Sequence, residues 1–122
     1  QLPMVINSAD YFYHLAWEGA RAPFRDDAAM QKNNYDCALQ AYEVAKKLGC
    51  TFFLGSGSQA EYGSTTGIVD EGYPCNPTTE YGKQKLNASR SKVSFPHVTS
   101  IGRFFTTHIM PRNDSRQKFH LL

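Results

Sequence analysis

Three side chains have the types and spacing for proton transfer: the hydroxyl of Ser58, the phenol of Tyr81 and the ammonium of Lys85. Tyr81 and Lys85 are four residues apart, and on a helix such positions share a face. A phenol ordinarily keeps its proton at neutral pH, and a neighbouring ammonium favours the phenolate. Such a pair can serve as acid and base, with Ser58 delivered from the end of a strand. On spacing alone the bland reading carries more weight: a half-buried tyrosine, a solvated helix lysine and a serine that builds a turn.

The elements that must position these groups follow an α/β order. Tyr11 to Trp17 is a short aromatic and apolar run, consistent with a buried strand of a parallel sheet. Asp26 to Leu48 reads as a helix, because Met30, Tyr35, Ala38 or Leu39, Tyr42, Ala45 and Leu48 recur at helical steps. Asp26 and Asp27 suit its positive end, Lys46 and Lys47 its negative end, and Gly49 its stop. Cys50 to Leu54 is a second strand, ending in Gly55-Ser56-Gly57-Ser58. Residues 59–77 form a long loop with Glu61, Asp70 and Glu71, of which Glu61 and Glu71 are expected to be solvated unless a dehydration reaction needs an extra acid near the site. Thr78 or Thr79 caps a helix over about Glu80 to Lys92, and His97 to Phe105 reads as a third strand. Strand–helix–strand–loop–helix–strand predicts an α/β fold with a parallel sheet of about three strands and flanking helices. In such sheets ligands lie beyond the carboxyl ends of the strands, where Ala16, Ser56 to Ser58 and Phe105 fall.

Composition bounds the partners. The chain has 122 residues, 41% hydrophobic and 20% charged, which suits one globular domain. No apolar run approaches the length of a membrane span, and the first residues do not read as a secretory signal. Cys37, Cys50 and Cys75 are far apart and odd in number, which favours free thiols in the cytoplasm over disulfides or a metal site. Residues 1–80 hold five Lys/Arg and ten Asp/Glu; residues 81–122 hold eight Lys/Arg and only Asp114 as acid. The basic residues are dispersed, so the two halves are read as neutralising each other, with no nucleic-acid partner.

Taken in order, the motifs resemble the middle of an extended short-chain dehydrogenase/reductase of the NAD-dependent epimerase/dehydratase family, which includes UDP-galactose 4-epimerase. His14-Leu15-Ala16 is similar to the strand end that passes the cofactor. Asn33 or Asn34 resembles the helix asparagine, and Ser56-Gly57-Ser58 with Tyr62-Gly63 the strand end with the catalytic serine. Asp70-Glu71, Pro74 and Pro77 resemble the acidic, proline-bearing loop. Tyr81-Gly82-Lys83-Gln84-Lys85 resembles the YxxxK motif, and Arg103-Phe104-Phe105 the following strand. A lone YxxxK is a weak signal; the ordered set over roughly residues 10–106 is a strong one.

The resemblance implies NAD(P)-dependent epimerisation, dehydration or reduction of a nucleotide sugar, with NAD or NADP as cofactor. It implies Tyr81 as acid/base, Lys85 as its ammonium partner and ribose ligand, and Ser58 as the hydrogen-bond donor to the sugar oxygen. Ala16, Ser56 and Phe105 would line the cofactor, and Asn33 would brace the active-site backbone or a water. It also implies a homodimer built through the helices at about 26–48 and 80–92. The glycine-rich GxxGxxG turn that grips the pyrophosphate is not found here, nor is the C-terminal substrate-binding part. Residues 1–122 thus read as a fragment of an NAD(P)-binding Rossmann domain, expected to be inactive alone. The alternative reading is a non-catalytic binding or oligomerisation module.

Overall fold

The computed structural model describes residues 6–70, 72–91 and the backbone of 98–101. Three parallel strands, β1 (Tyr11–His14), β2 (Phe52–Ser56) and β3 (Val98–Ile101), lie side by side in that order. Tyr11 pairs with Phe52 and His14 with Gly55; Phe53 pairs with Val98 and Ser56 with Ile101. Helix α1 (Ala28–Lys47) connects β1 to β2, and α2 (Glu80–Arg90) lies between β2 and β3. This is the expected partial Rossmann-like sheet with flanking helices.

Both helices have ends written in the sequence. Asp27 caps α1, its carboxylate accepting the Met30 amide at 2.9 Å. At the other end Gly49 takes φ +74. Its amide reaches Lys46 O at 3.0 Å, and the Cys50 amide reaches Ala45 O at 3.0 Å. That double bond pattern is a Schellman stop, which needs a left-handed residue at the glycine. Thr79 caps α2 through the Gly82 amide at 3.0 Å.

The core lies between α1 and one face of the sheet. Tyr42, Ala45, Leu48, Cys50 and Phe53 are buried together, with Ala9, Phe12 and Val44 at the margin. Phe12 stacks on Phe53 with centroids 5.5 Å apart, and Tyr42 meets Phe53 edge-on at 5.2 Å.

The first strand differs from the sequence reading in two ways. It stops at His14, three residues short of Trp17, and it is not buried on both faces. Tyr11 and Tyr13 are mostly exposed, flanking Phe52 on the face away from α1. An aromatic run cannot by itself distinguish a two-sided strand from a half-covered one. The second strand runs Phe52–Ser56 rather than 50–54, so Ser56 still belongs to the ladder. Helix α2 ends at Arg90; Lys92, and the expected third strand beyond Ile101, lie outside the described residues.

Among the described residues no helix is long and apolar enough to cross a membrane. Cys37, Cys50 and Cys75 form no disulfide.

Candidate active site

Ser58 stands two residues beyond β2, where the chain turns into one 3-10 turn, Gln59–Glu61. Its Oγ accepts the Ala60 amide at 3.2 Å, and its own amide donates to Glu61 Oε1 at 2.9 Å. This is a capping box, with the acidic residue reaching back to the cap. The serine is thus both turn-builder and buried hydroxyl. Glu61 corrects the expectation of a solvated acid. It is fully buried, and its second oxygen accepts from Ser89 Oγ of α2 at 3.1 Å. Glu71 lies outside the described residues.

Two glycines let the pieces approach. Gly63 has φ +74, and a Cβ there would stand 1.9 Å from the Asn76 carbonyl oxygen. The Asn76 amide donates to Tyr62 O at 3.3 Å, closing the base of the long loop. A Cβ on Gly82 would lie 2.3 Å from Ala60 O, so α2 packs directly on the backbone of the serine turn.

Helix α2 then presents the two remaining groups. Lys85 is 3% exposed, and its Nζ donates to Ser56 O at 3.0 Å and Ser56 Oγ at 3.3 Å. The same ammonium lies 4.0 Å from the centroid of the Trp17 ring and 5.8 Å from that of Tyr81. Tyr81 is half-buried, meets Trp17 edge-on at 6.1 Å, and has the Arg25 guanidinium over its ring at 5.2 Å. On the outer side of α2, Lys83 is held above the usual lysine range by its hydrogen bond to Glu80, then by the Glu80 charge.

The loop from β1 is clamped by two side-chain amides of α1. Gln31, fully buried, donates to Gly19 O and Phe24 O, each at 3.0 Å, and accepts the Trp17 indole N–H at 2.8 Å. Asn34 exchanges two hydrogen bonds with the backbone of Glu18, at 3.0 and 2.8 Å, and also donates to Gln31. Asn33 is exposed. Of the two adjacent asparagines, the one that braces the backbone here is Asn34, one position on.

The sequence-predicted residues therefore fall into groups. Ser56, Tyr81 and Lys85 meet at the carboxyl end of β2, and Ser58 is tied to the same helix through Glu61 and Ser89. Ala16 is exposed at the end of β1, beside Trp17 in the chain. Asn33 stands apart, and Phe105 lies outside the described residues. Gln31, Trp17, Glu61 and Ser89 enter the cluster unforeseen.

Comparison with known proteins adds a family. Residues 2–105 match the model of the NAD dependent epimerase/dehydratase family. No curated protein matches significantly. Among solved structures, the chain is similar to the Bordetella bronchiseptica enzyme WbmG in complex with NAD and UDP, with TM-score 0.65 and 20% identity over 75% of this chain and 29% of that one. It is similar to a UDP-N-acetylglucosamine 4-epimerase of Methanobrevibacter ruminantium bound to UDP-N-acetylmuramic acid, with TM-score 0.65 and 23% identity over 75% and 32%. A UDP-glucuronic acid 4-epimerase variant of Bacillus cereus, in complex with UDP-4-deoxy-4-fluoro-glucuronic acid and NAD, gives TM-score 0.64 and 22% identity over 79% and 33%. The chain thus spans about a third of the length of these structures.

Proposed function

We propose, for a chain that belongs to the NAD dependent epimerase/dehydratase family, that it carries the proton-transfer part of a nucleotide-sugar epimerase or dehydratase site. The observation that carries the reading is the Lys85 ammonium, buried on Ser56 at the end of β2 and one helical turn from Tyr81. Solved structures of the same fold hold NAD, UDP or UDP-sugars, which supports a UDP-type nucleotide sugar as substrate.

NAD or NADP is the group such a site implies. The residues present fit its nicotinamide end: a small exposed Ala16, and an ammonium whose N–H groups can serve a ribose hydroxyl as they serve Ser56. Tyr81 and Lys85 would hold that ribose. When bound, the nicotinamide accepts and returns a hydride. The protein's own part is proton handling and orientation. Ser58 Oγ already accepts from Ala60, so its O–H is the donor available to a sugar oxygen. Tyr81 takes the hydroxyl proton and later returns it. Lys85 supplies positive charge beside the Tyr81 ring throughout.

The glycine-rich pyrophosphate grip is not among these 122 residues. We therefore expect the chain alone to bind NAD weakly and to turn nothing over. Calorimetric titration with NAD checks this, and a micromolar dissociation constant would contradict it. The catalytic assignment is tested in a longer protein in which a glycine-rich unit precedes this segment. There Tyr81→Phe should lower turnover of UDP-sugars by a factor of at least about 100. Unchanged turnover removes Tyr81 from the reaction.

A further inference from the structure

Trp17 is the sole tryptophan of the sequence and has no part in the reaction above. We propose that it is the positioning residue for Lys85: the face of its indole holds the ammonium beside Tyr81, and Gln31 holds the indole. The meaning for catalysis rests on the role proposed for Lys85; the contact itself does not.

The indole is engaged both at its face and at its N–H. The Lys85 Nζ lies 4.0 Å from the ring centroid, within cation–π range and closer than its 5.8 Å to the Tyr81 ring. An ammonium carries three N–H donors. Ser56 accepts from it with two oxygens, O and Oγ, and the aromatic ring offers the negative charge of its face. At 3% exposure the side chain is largely cut off from water, where such contacts are strongest.

The indole is in turn fixed by its N–H. Gln31 Oε1 accepts it at 2.8 Å, while both amide protons of Gln31 go to backbone carbonyls of the same loop. Because its donors and acceptor are all engaged, the amide has a single orientation, and so does the ring it holds. The same indole also meets the Tyr81 ring, the two planes standing at 87°. A tryptophan serving only as packing would not need its N–H anchored by a fully buried glutamine or its face turned to an ammonium.

The signature of this contact is a ring current. In carbon–proton correlation spectra of the 122-residue chain, the Lys85 Hε protons should resonate upfield of the other lysines. Trp17→Phe should retain part of that displacement and Trp17→Leu should abolish it, while the exposed-site control Lys83→Met leaves it unchanged. Acylation of Lys85 by a small amine-reactive ester, followed by mass spectrometry, should quicken in Trp17→Leu by between about twofold and thirtyfold, the span of a cation–π contact. Other lysines should keep their rates. A Lys85 signal among the ordinary lysines in the wild-type chain overturns the proposal even if Trp17→Leu fails to fold. Equal displacement or equal acylation in Phe and Leu variants also overturns it. Retained turnover in Tyr81→Phe would remove the proposed reaction while leaving the spectral signature in place, so the two readings fail separately.

Discussion

The Glu61 carboxylate accepts the backbone amide of Ser58 at 2.9 Å with no exposure to solvent. Because its other oxygen takes the Ser89 hydroxyl at 3.1 Å, one side chain joins the serine turn to the helix that carries Tyr81 and Lys85. Glu61→Ala should therefore destabilise the chain by about 2–4 kcal/mol, combining a lost cap with buried polar groups left unpaired. Glu61→Gln keeps one carbonyl for the Ser58 amide and turns an amide donor toward Ser89, whose hydroxyl can accept. It should lose only about 1 kcal/mol. Urea denaturation of both variants checks the difference. Equal losses would mean that Glu61 acts through volume alone.

Gly82 sets a contest between two known effects. Alanine is better than glycine in a helix by about 1 kcal/mol. Yet a Cβ at this position would lie 2.3 Å from the Ala60 carbonyl oxygen and 3.0 Å from its carbon. Backbone cannot yield as a flexible side chain can, so α2 must shift off the serine turn. Gly82→Ala should be destabilising by about 2 kcal/mol or more in spite of its helix propensity. Gly49→Ala is the comparison: open space surrounds that Cβ, and only the left-handed φ of +74 opposes it. Its loss should be about 1–2 kcal/mol. A stabilising Gly82→Ala would show that the close approach is not maintained in solution.

Asn33 and Asn34 separate by burial. Asn34→Ala removes a side chain that satisfies both the amide and the carbonyl of Glu18, and should destabilise by about 2–3 kcal/mol. Asn33→Ala, on the exposed face of α1, should change stability by less than about 0.5 kcal/mol. Thermal unfolding of the two variants is sufficient. The reverse order would put Asn33 in the clamp.

These residues also show what the sequence made legible. The buried stripe of α1 is Gln31, Asn34, Ala38, Tyr42 and Ala45. Stepping back four from Ala38 and then three reaches Asn34 and Gln31, so periodicity held the answer to which asparagine faces inward. Counting apolar residues alone hid it, because the stripe turns polar where it meets the loop. The element order, the acidic start of α1 at Asp26 and Asp27, a threonine cap at 78 or 79 and the stop at Gly49 were readable because each is local chemistry; that Asp27 is the cap itself, with α1 beginning at Ala28, was not. Glu61 was not readable as buried. A carboxylate in a polar loop looks solvated until a helix 28 residues downstream brings Ser89 onto it. The two-sided burial expected of β1 failed for a related reason: coverage of a sheet face depends on what packs there, and no short run records that.

The uncovered face of β1 has a consequence for the chain in solution. Tyr11 and Tyr13 are 63% and 57% exposed, on the outermost strand of the described sheet order, and Leu15 beyond them is 66% exposed. Exposed aromatic groups on an outer strand of a sheet favour association with another chain. The 122-residue chain should therefore self-associate at micromolar concentration. Tyr11→Lys combined with Tyr13→Lys should reduce association, because both charges are placed on the exposed face and leave the Phe12–Phe53 stack in the core intact. Light scattering over a concentration series measures both. A monodisperse wild-type monomer would show that this face is covered by some part of the chain itself, and equal association of the double variant would move the contact elsewhere on the surface.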